Sequence, residues 1–148
     1  MIISACVVRG HRVASGSNGD PKFPGGTIRM QIPHFAARGL DLGDLHPGTV
    51  NVSIAPLSWQ ALRPAYTFHA VRWHPTEPAE DFSFFHLRLH RGGTAPPVAG
   101  WVYLPHPQTK PAHFQSPDIL ELLLPWTEGL PYGSRVDLEV PESEMRFE

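Results

Sequence analysis

Cysteine is almost missing from this chain: Cys6 is the single one among 148 residues. A lone thiol excludes an intrachain disulfide and fits a reducing compartment. No charge sign dominates. Twelve Lys and Arg stand against fourteen Asp and Glu, a formal net charge of −2. A dedicated nucleic-acid binder carries a basic excess, so no nucleic-acid partner is expected. A small anionic ligand stays open, because a local loop can bind phosphate in a near-neutral protein. Long hydrophobic runs are lacking, with nothing approaching the ~18 apolar residues that span a bilayer. The first apolar run, Ile2 to Val8, is too short for a secretory core and has no basic segment before it. The expectation is a cytoplasmic protein without a membrane partner.

Seventeen prolines and thirteen glycines are spread along the chain instead of being gathered in a linker. An internal proline costs a helix about 3 kcal/mol, so long helices are excluded almost everywhere. Hydrophobic residues make up 41% and charged residues 18%, a globular composition. The length suits one domain, residues 1–148, with a sizeable core.

Local patterning predicts short strands separated by loops. Ile2 to Val8 reads as the first strand, followed by a long polar loop through Ser15-Gly16-Ser17-Asn18-Gly19-Asp20-Pro21. Thr27 to Ile32 reads as a strand, with Ile28, Met30 and Ile32 on one face. Pro33 to Arg38 reads as one or two helical turns, with Pro33 at the first helical position and Gly39 as a left-handed stop. His46-Pro47-Gly48 is a turn leading into a strand in which Val50, Val52 and Ile54 alternate with Thr49, Asn51 and Ser53. Ala65 to Trp73 and Phe82 to His90 form a predicted hairpin, and Val98 to Leu104 follows as a strand. Ser116-Pro117-Asp118 carries the marks of a helix start, giving a short helix over Ile119 to Leu124 that Pro125 stops. Ser134 to Val140 is the cleanest strand. Six or seven short strands with one or two short helices fit a mainly β, small closed barrel, with a β-sandwich as the alternative.

Nine histidines invite a zinc reading. None lies in a helical His-Glu-x-x-His. His86 and His90, four apart on a predicted strand, stand ~13 Å from each other, too far to share one ion. Trp59, Trp73, Trp101 and Trp126 read as core or rim residues, and Trp101 or Trp126 as a surface on which a flat ring stacks.

Three segments together carry a resemblance. They are Pro47-Gly48-Thr49-Val50-Asn51-Val52, then Gly26 to Phe35 ending in Ile32-Pro33-His34-Phe35, and the C-terminal third. In that third, Gly100 to Leu104 leads through Pro105 to Thr109 and Asp118-Ile119-Leu120-Glu121-Leu122 to Gly133-Ser134-Arg135-Val136. In this order they resemble the archaeal CTP-dependent riboflavin kinases, which have a cradle-loop barrel fold. The resemblance implies transfer of a phosphoryl group from a nucleoside triphosphate, CTP in that family, to riboflavin, giving FMN. It implies Thr49 and Asn51 as Mg²⁺ ligands, and hard neutral oxygens suit that ion. It implies Gly25, Gly26 and Thr27 at the nucleotide loop. It places Thr109 at the flavin and Glu121, on the family's helix, at the flavin as orienting or proton-accepting carboxylate.

The chain departs from the family on the nucleotide side. Gly25-Gly26-Thr27 lacks the family's acidic residue and following base, and Lys22 or Arg12 is the available substitute charge. Trp126-Thr127-Glu128-Gly129 brings an acid where the family has a basic segment. A second reading follows: a barrel of the same fold that binds a ligand or a protein without turnover. Taken one by one, Thr49 and Asn51 also suit a turn-to-strand junction, and Glu121 an exposed helix acid.

Overall fold

The computed structural model describes residues 1–9, 25–110 and 116–148. Most of the predicted polar loop, with Arg12, Gly16 and Lys22, lies outside the described residues. The chain runs β1 (Ile2–Val8), α1 (Thr27–Ala36), β2 (Val50–Ser53), β3 (Trp59–Ala61), β4 (Tyr66–Val71), β5 (Glu80–His90), β6 (Val98–Pro105), β7 (Ile119–Leu123), β8 (Arg135–Glu139) and β9 (Met145–Phe147). The architecture is mainly β with one helix among the described residues. None of the described helical residues forms a helix long and apolar enough to cross a membrane.

Seven strands form one antiparallel sheet in the order β4-β5-β6-β7-β2-β1-β8. The long strand β5 closes it. Its first half pairs with β4, through Phe84 to Tyr66 and Phe82 to Phe68. Its last residues pair with β8, Arg88 to Glu139 and His90 to Asp137. Hydrogen bonds therefore ring through six strands, β5-β6-β7-β2-β1-β8, which leaves those strands without open edges. The short strands β3 and β9 pair separately.

The pleat decides what goes inside the ring. On β5 the inward set is Phe85, Leu87 and Leu89, on β7 Leu120 and Leu122, and on β8 Val136 and Leu138, all buried. The opposite face of β5 and β6 carries Phe82, Phe84 and Tyr103, and α1 packs there through Ile28 and Phe35. Phe35 is fully buried, edge-on to Phe82 and Phe84 and stacked against Phe68.

Two elements correct the sequence expectations. Thr27 to Ile32 is helix, not strand, and Pro33 sits inside α1 instead of at its first position. The buried residues are Ile28, Gln31 and Phe35, a helical spacing, while Met30 and Ile32 are only half-buried. The missing N–H of Pro33 falls on an exposed turn of the helix, and burial of Phe35 beyond it holds the last turn in place. The stop at Gly39 is as expected. Its φ is +103°, the Leu40 N–H reaches the Phe35 carbonyl, and the Gly39 N–H reaches that of Ala36.

The second correction is Ile119 to Leu124, which forms strand β7 and not a helix. Leu120 and Leu122 point inward while Glu121 faces out, and both edges of β7 are taken, by β2 and by β6. Two ladders and an apolar interior outweigh the helix propensity of the segment and its Ser-Pro-Asp start.

Candidate functional site

One row of residues crosses the outer face of the ring. Asn51 on β2 is directly opposite Glu121 on β7, and Glu121 is opposite Tyr103 on β6. Thr49 lies on the same face, two residues before Asn51. The Thr49 hydroxyl donates to Glu121 Oε1 at 3.4 Å, and Asn51 Nδ2 donates to Thr49 Oγ1 at 3.5 Å. Three of the residues singled out from the sequence thus converge, although Thr49 and Glu121 stand 72 positions apart.

Five further polar side chains lie around them. Lys110 Nζ lies 3.8 Å from Glu121 Oε2, with both side chains largely shielded from solvent. The Tyr103 hydroxyl donates to Gln31 Oε1 of α1 at 2.6 Å, and both residues are buried. The Trp73 indole donates to Glu80 Oε2 at 3.0 Å, again in a buried setting. A cavity of about 50 Å³ opens beside Glu121, Lys110 and Tyr103. That is room for a water or a small ion, whose share of liquid volume is about 30 Å³ for water.

The electrostatics follow from burial. Loss of hydration raises the Glu80 carboxyl above its ordinary 4.5, against the Trp73 hydrogen bond and the Lys110 charge, which hold it down, and with Glu77 and Glu121 adding repulsion. Burial, then the charges of Glu121 and Glu80, push the Tyr103 phenol well up, so it stays a neutral donor. Between pH 4.5 and the raised folded value, Glu80 is more fully protonated in the folded protein than in the unfolded chain. Stability is then lost as pH rises through that window. Asp81 acts in the other range: a hydrogen bond from the Ala70 N–H lowers it below 3.8, so its contribution disappears only in stronger acid. Glu80→Gln keeps an acceptor for Trp73 and removes the ionisation. Urea unfolding from pH 4 to 8 is expected to show wild type losing stability relative to Glu80→Gln as pH rises. Parallel curves would refute the shift.

The remaining predicted residues are placed differently. Gly26 caps α1 with φ 92°, preceded by Gly25 at φ 74°, and Thr27 is the first helical residue. No acidic side chain stands in that first turn. Thr27 is one helical turn before Gln31, which ties this end of α1 to Tyr103 and so to the row. The Thr109 hydroxyl accepts the Asp81 N–H at 2.8 Å and lies 3.3 Å from the His106 carbonyl. It pins the turn after β6 and thereby places the neighbouring Lys110. Trp126 is 72% exposed and meets His46 edge-on at 5.1 Å. Trp101 is half-buried against the second core. Among the described residues no three His, Cys, Asp or Glu side chains form a metal-binding group.

No protein-family model matches the chain, and no curated protein matches it either.

The donor set itself is compatible with a hard cation. Thr49 offers a hydroxyl and Glu121 a carboxylate at one junction, where the Asn51 amide turns its Nδ2 to Thr49 and would present its oxygen to a cation only after turning over. Oxygen donors of this kind suit Mg²⁺, which draws the rest of its shell from water and phosphate. Local sequence missed Glu80, Tyr103, Gln31 and Lys110. The one available signal was polarity out of place: Gln31 among apolar neighbours, and Glu80 at the head of an aromatic strand.

Proposed function

We propose that this chain is a cradle-loop barrel enzyme that transfers a phosphoryl group from a nucleoside triphosphate to a hydroxyl of riboflavin or a similar small molecule. The observation that carries the reading is the convergence of Thr49, Asn51 and Glu121 on one face, joined by hydrogen bonds. In the reaction the acceptor hydroxyl oxygen bonds to the γ-phosphorus. The bridging oxygen leaves with the nucleoside diphosphate, and the hydroxyl proton passes to a base. Thr49 and Asn51 would hold Mg²⁺, which would supply charge neutralisation on the phosphates. Glu121 orients the acceptor and takes its proton, with Lys110 Nζ 3.8 Å from its Oε2. The Gly25-Gly26 backbone and the start of α1 face the phosphates, where N–H groups favour negative charge. Thr109 acts from the turn that carries Lys110.

One observation favours the second reading, a barrel that binds without turnover: Glu121 is already engaged by both Thr49 and Lys110. Product chromatography separates the two. Purified protein is incubated with riboflavin, Mg²⁺ and CTP, ATP, GTP or UTP in turn. The expected result is FMN with one donor, and a loss of at least about 100-fold in Asn51→Ala, on the scale of losing one group that stabilises transition-state charge. No FMN with any donor refutes the kinase. A riboflavin-induced rise in melting temperature would then support the binding module.

A further inference from the structure

A separate cavity of about 430 Å³ opens where β5 lies between β6 and β8. It shares no residue with the Thr49–Asn51–Glu121 row. Its size falls within the range of small-molecule sites, roughly 300–1,000 Å³. The lining is mostly apolar, with Leu45, Leu87, Ala99, Trp101 and Val140 among its walls.

Two features give this cavity a chemistry. The first is a planar wall. Trp101 is held by Tyr66 at 5.7 Å, Phe84 at 6.4 Å and the His86 ring at 4.8 Å. His86 is itself fixed, since its Nδ1 meets Glu144 Oε2 at 2.7 Å while its backbone N–H donates to Glu144 Oε1 at 2.8 Å. An aromatic wall braced on three sides loses little freedom when a flat ring packs on it.

The second feature is a cation at the rim. Arg88 is exposed, and its guanidinium makes no hydrogen bond or ion pair among the described residues. The nearby carboxylate, Glu139, is turned to His90, with Oε1 3.0 Å from His90 Nε2. Arg88 acts on Glu139 only through space. A planar fork of donors is therefore left for an anion.

We propose that this cavity binds a planar aromatic anion, with the ring against Trp101 and the anionic group on Arg88. The site is independent of the phosphoryl-transfer reading, because no residue is common to both.

The test uses 2-naphthoate and its neutral counterpart 2-acetonaphthone, titrated into ¹⁵N-labelled protein and followed by amide and indole NMR shifts. The expected result is saturable shifts at Ala99, Gly100 and the Trp101 indole with 2-naphthoate. Binding falls by about 10-fold in Arg88→Met, as for the loss of one charge-assisted contact. The neutral ketone binds by a similar factor more weakly. Ala99→Trp, which fills the cavity from an exposed position, removes the shifts while the rest of the spectrum stays folded. Absence of saturable shifts at those residues, equal binding by Arg88→Met, equal binding of the ketone, or unchanged binding in Ala99→Trp would each overturn the proposal.

Discussion

Phe35→Ala is expected to lower the unfolding free energy by about 3–5 kcal/mol, the usual range for deleting a buried phenylalanine. Phe35 has no solvent exposure and its ring centroid lies 5.0 Å from Phe84, 5.1 Å from Phe82 and 5.9 Å from Phe68. Removing it opens a void between α1 and the sheet. The surrounding rings are carried by paired strands, which cannot close in on the gap. The loss also loosens α1 above Tyr103, because Gln31 and Phe35 are one turn apart on the same helix face. Urea unfolding followed by circular dichroism measures the change. A loss under about 1 kcal/mol would mean that α1 is not docked through this ring.

Gly100→Ala is expected to cost at least about 1–3 kcal/mol, the range for forcing extra atoms into a packed interior. A Cβ at position 100 would fall inside the contact shell of the Leu123 carbonyl oxygen and within 2.7 Å of Leu124 Cδ2. The carbonyl is backbone of β7, next to the Trp101–Leu123 pair, so it cannot step aside without parting β6 from β7. Those two strands carry Tyr103 and Glu121, and the strain reaches the candidate site. Gly93→Ala is the comparison. Gly93 has nothing within 4 Å of its would-be Cβ but sits at φ +58°. Its cost is conformational only, about 1–2 kcal/mol for a left-handed residue. The distinguishing readout is the site itself. Gly100→Ala is expected to shift the amide resonances of Tyr103 and Glu121, and Gly93→Ala to leave them in place. Unchanged resonances in Gly100→Ala would show that β6 and β7 absorb the methyl group without parting.

Ser134 to Val140 and Thr49 to Ile54 were legible as strands, because alternation of polar and apolar side chains states which face is buried. The hairpin of Ala65 to Trp73 with Phe82 to His90 was legible from the polar connection at Pro75 to Glu80, and it appears as β4 and β5. At α1 the same rule misled. Ile28, Met30 and Ile32 alternate as a strand would, whereas the buried set includes the polar Gln31. Hydrophobicity alone gives a buried glutamine no weight, and its partner Tyr103 is 72 residues away. At β7 the start signal at Ser116 and the run Ile-Leu-Glu-Leu-Leu favour a helix locally. The vacancy between β2 and β6 that makes it a strand is not a property of that segment.

The candidate site divides in the same way. Thr49, Asn51 and Glu121 were singled out from local spacing and resemblance. Gathering them required the register that sets Asn51 opposite Glu121. Glu80, Trp73, Lys110 and Gln31 carried no such mark, since each acts through a neighbour from another element.

By itself, the sequence determined that this is a mainly β chain with short elements. Proline and glycine frequency and side-chain periodicity act within a few residues and need no partner. Only the tertiary structure decided that the strands ring through β5 to β8, that residues 119–123 pair as a strand, and which polar side chains share a face. Hydrogen-bond register and desolvation are relations between segments far apart in the chain, and they take a value only once those segments have met.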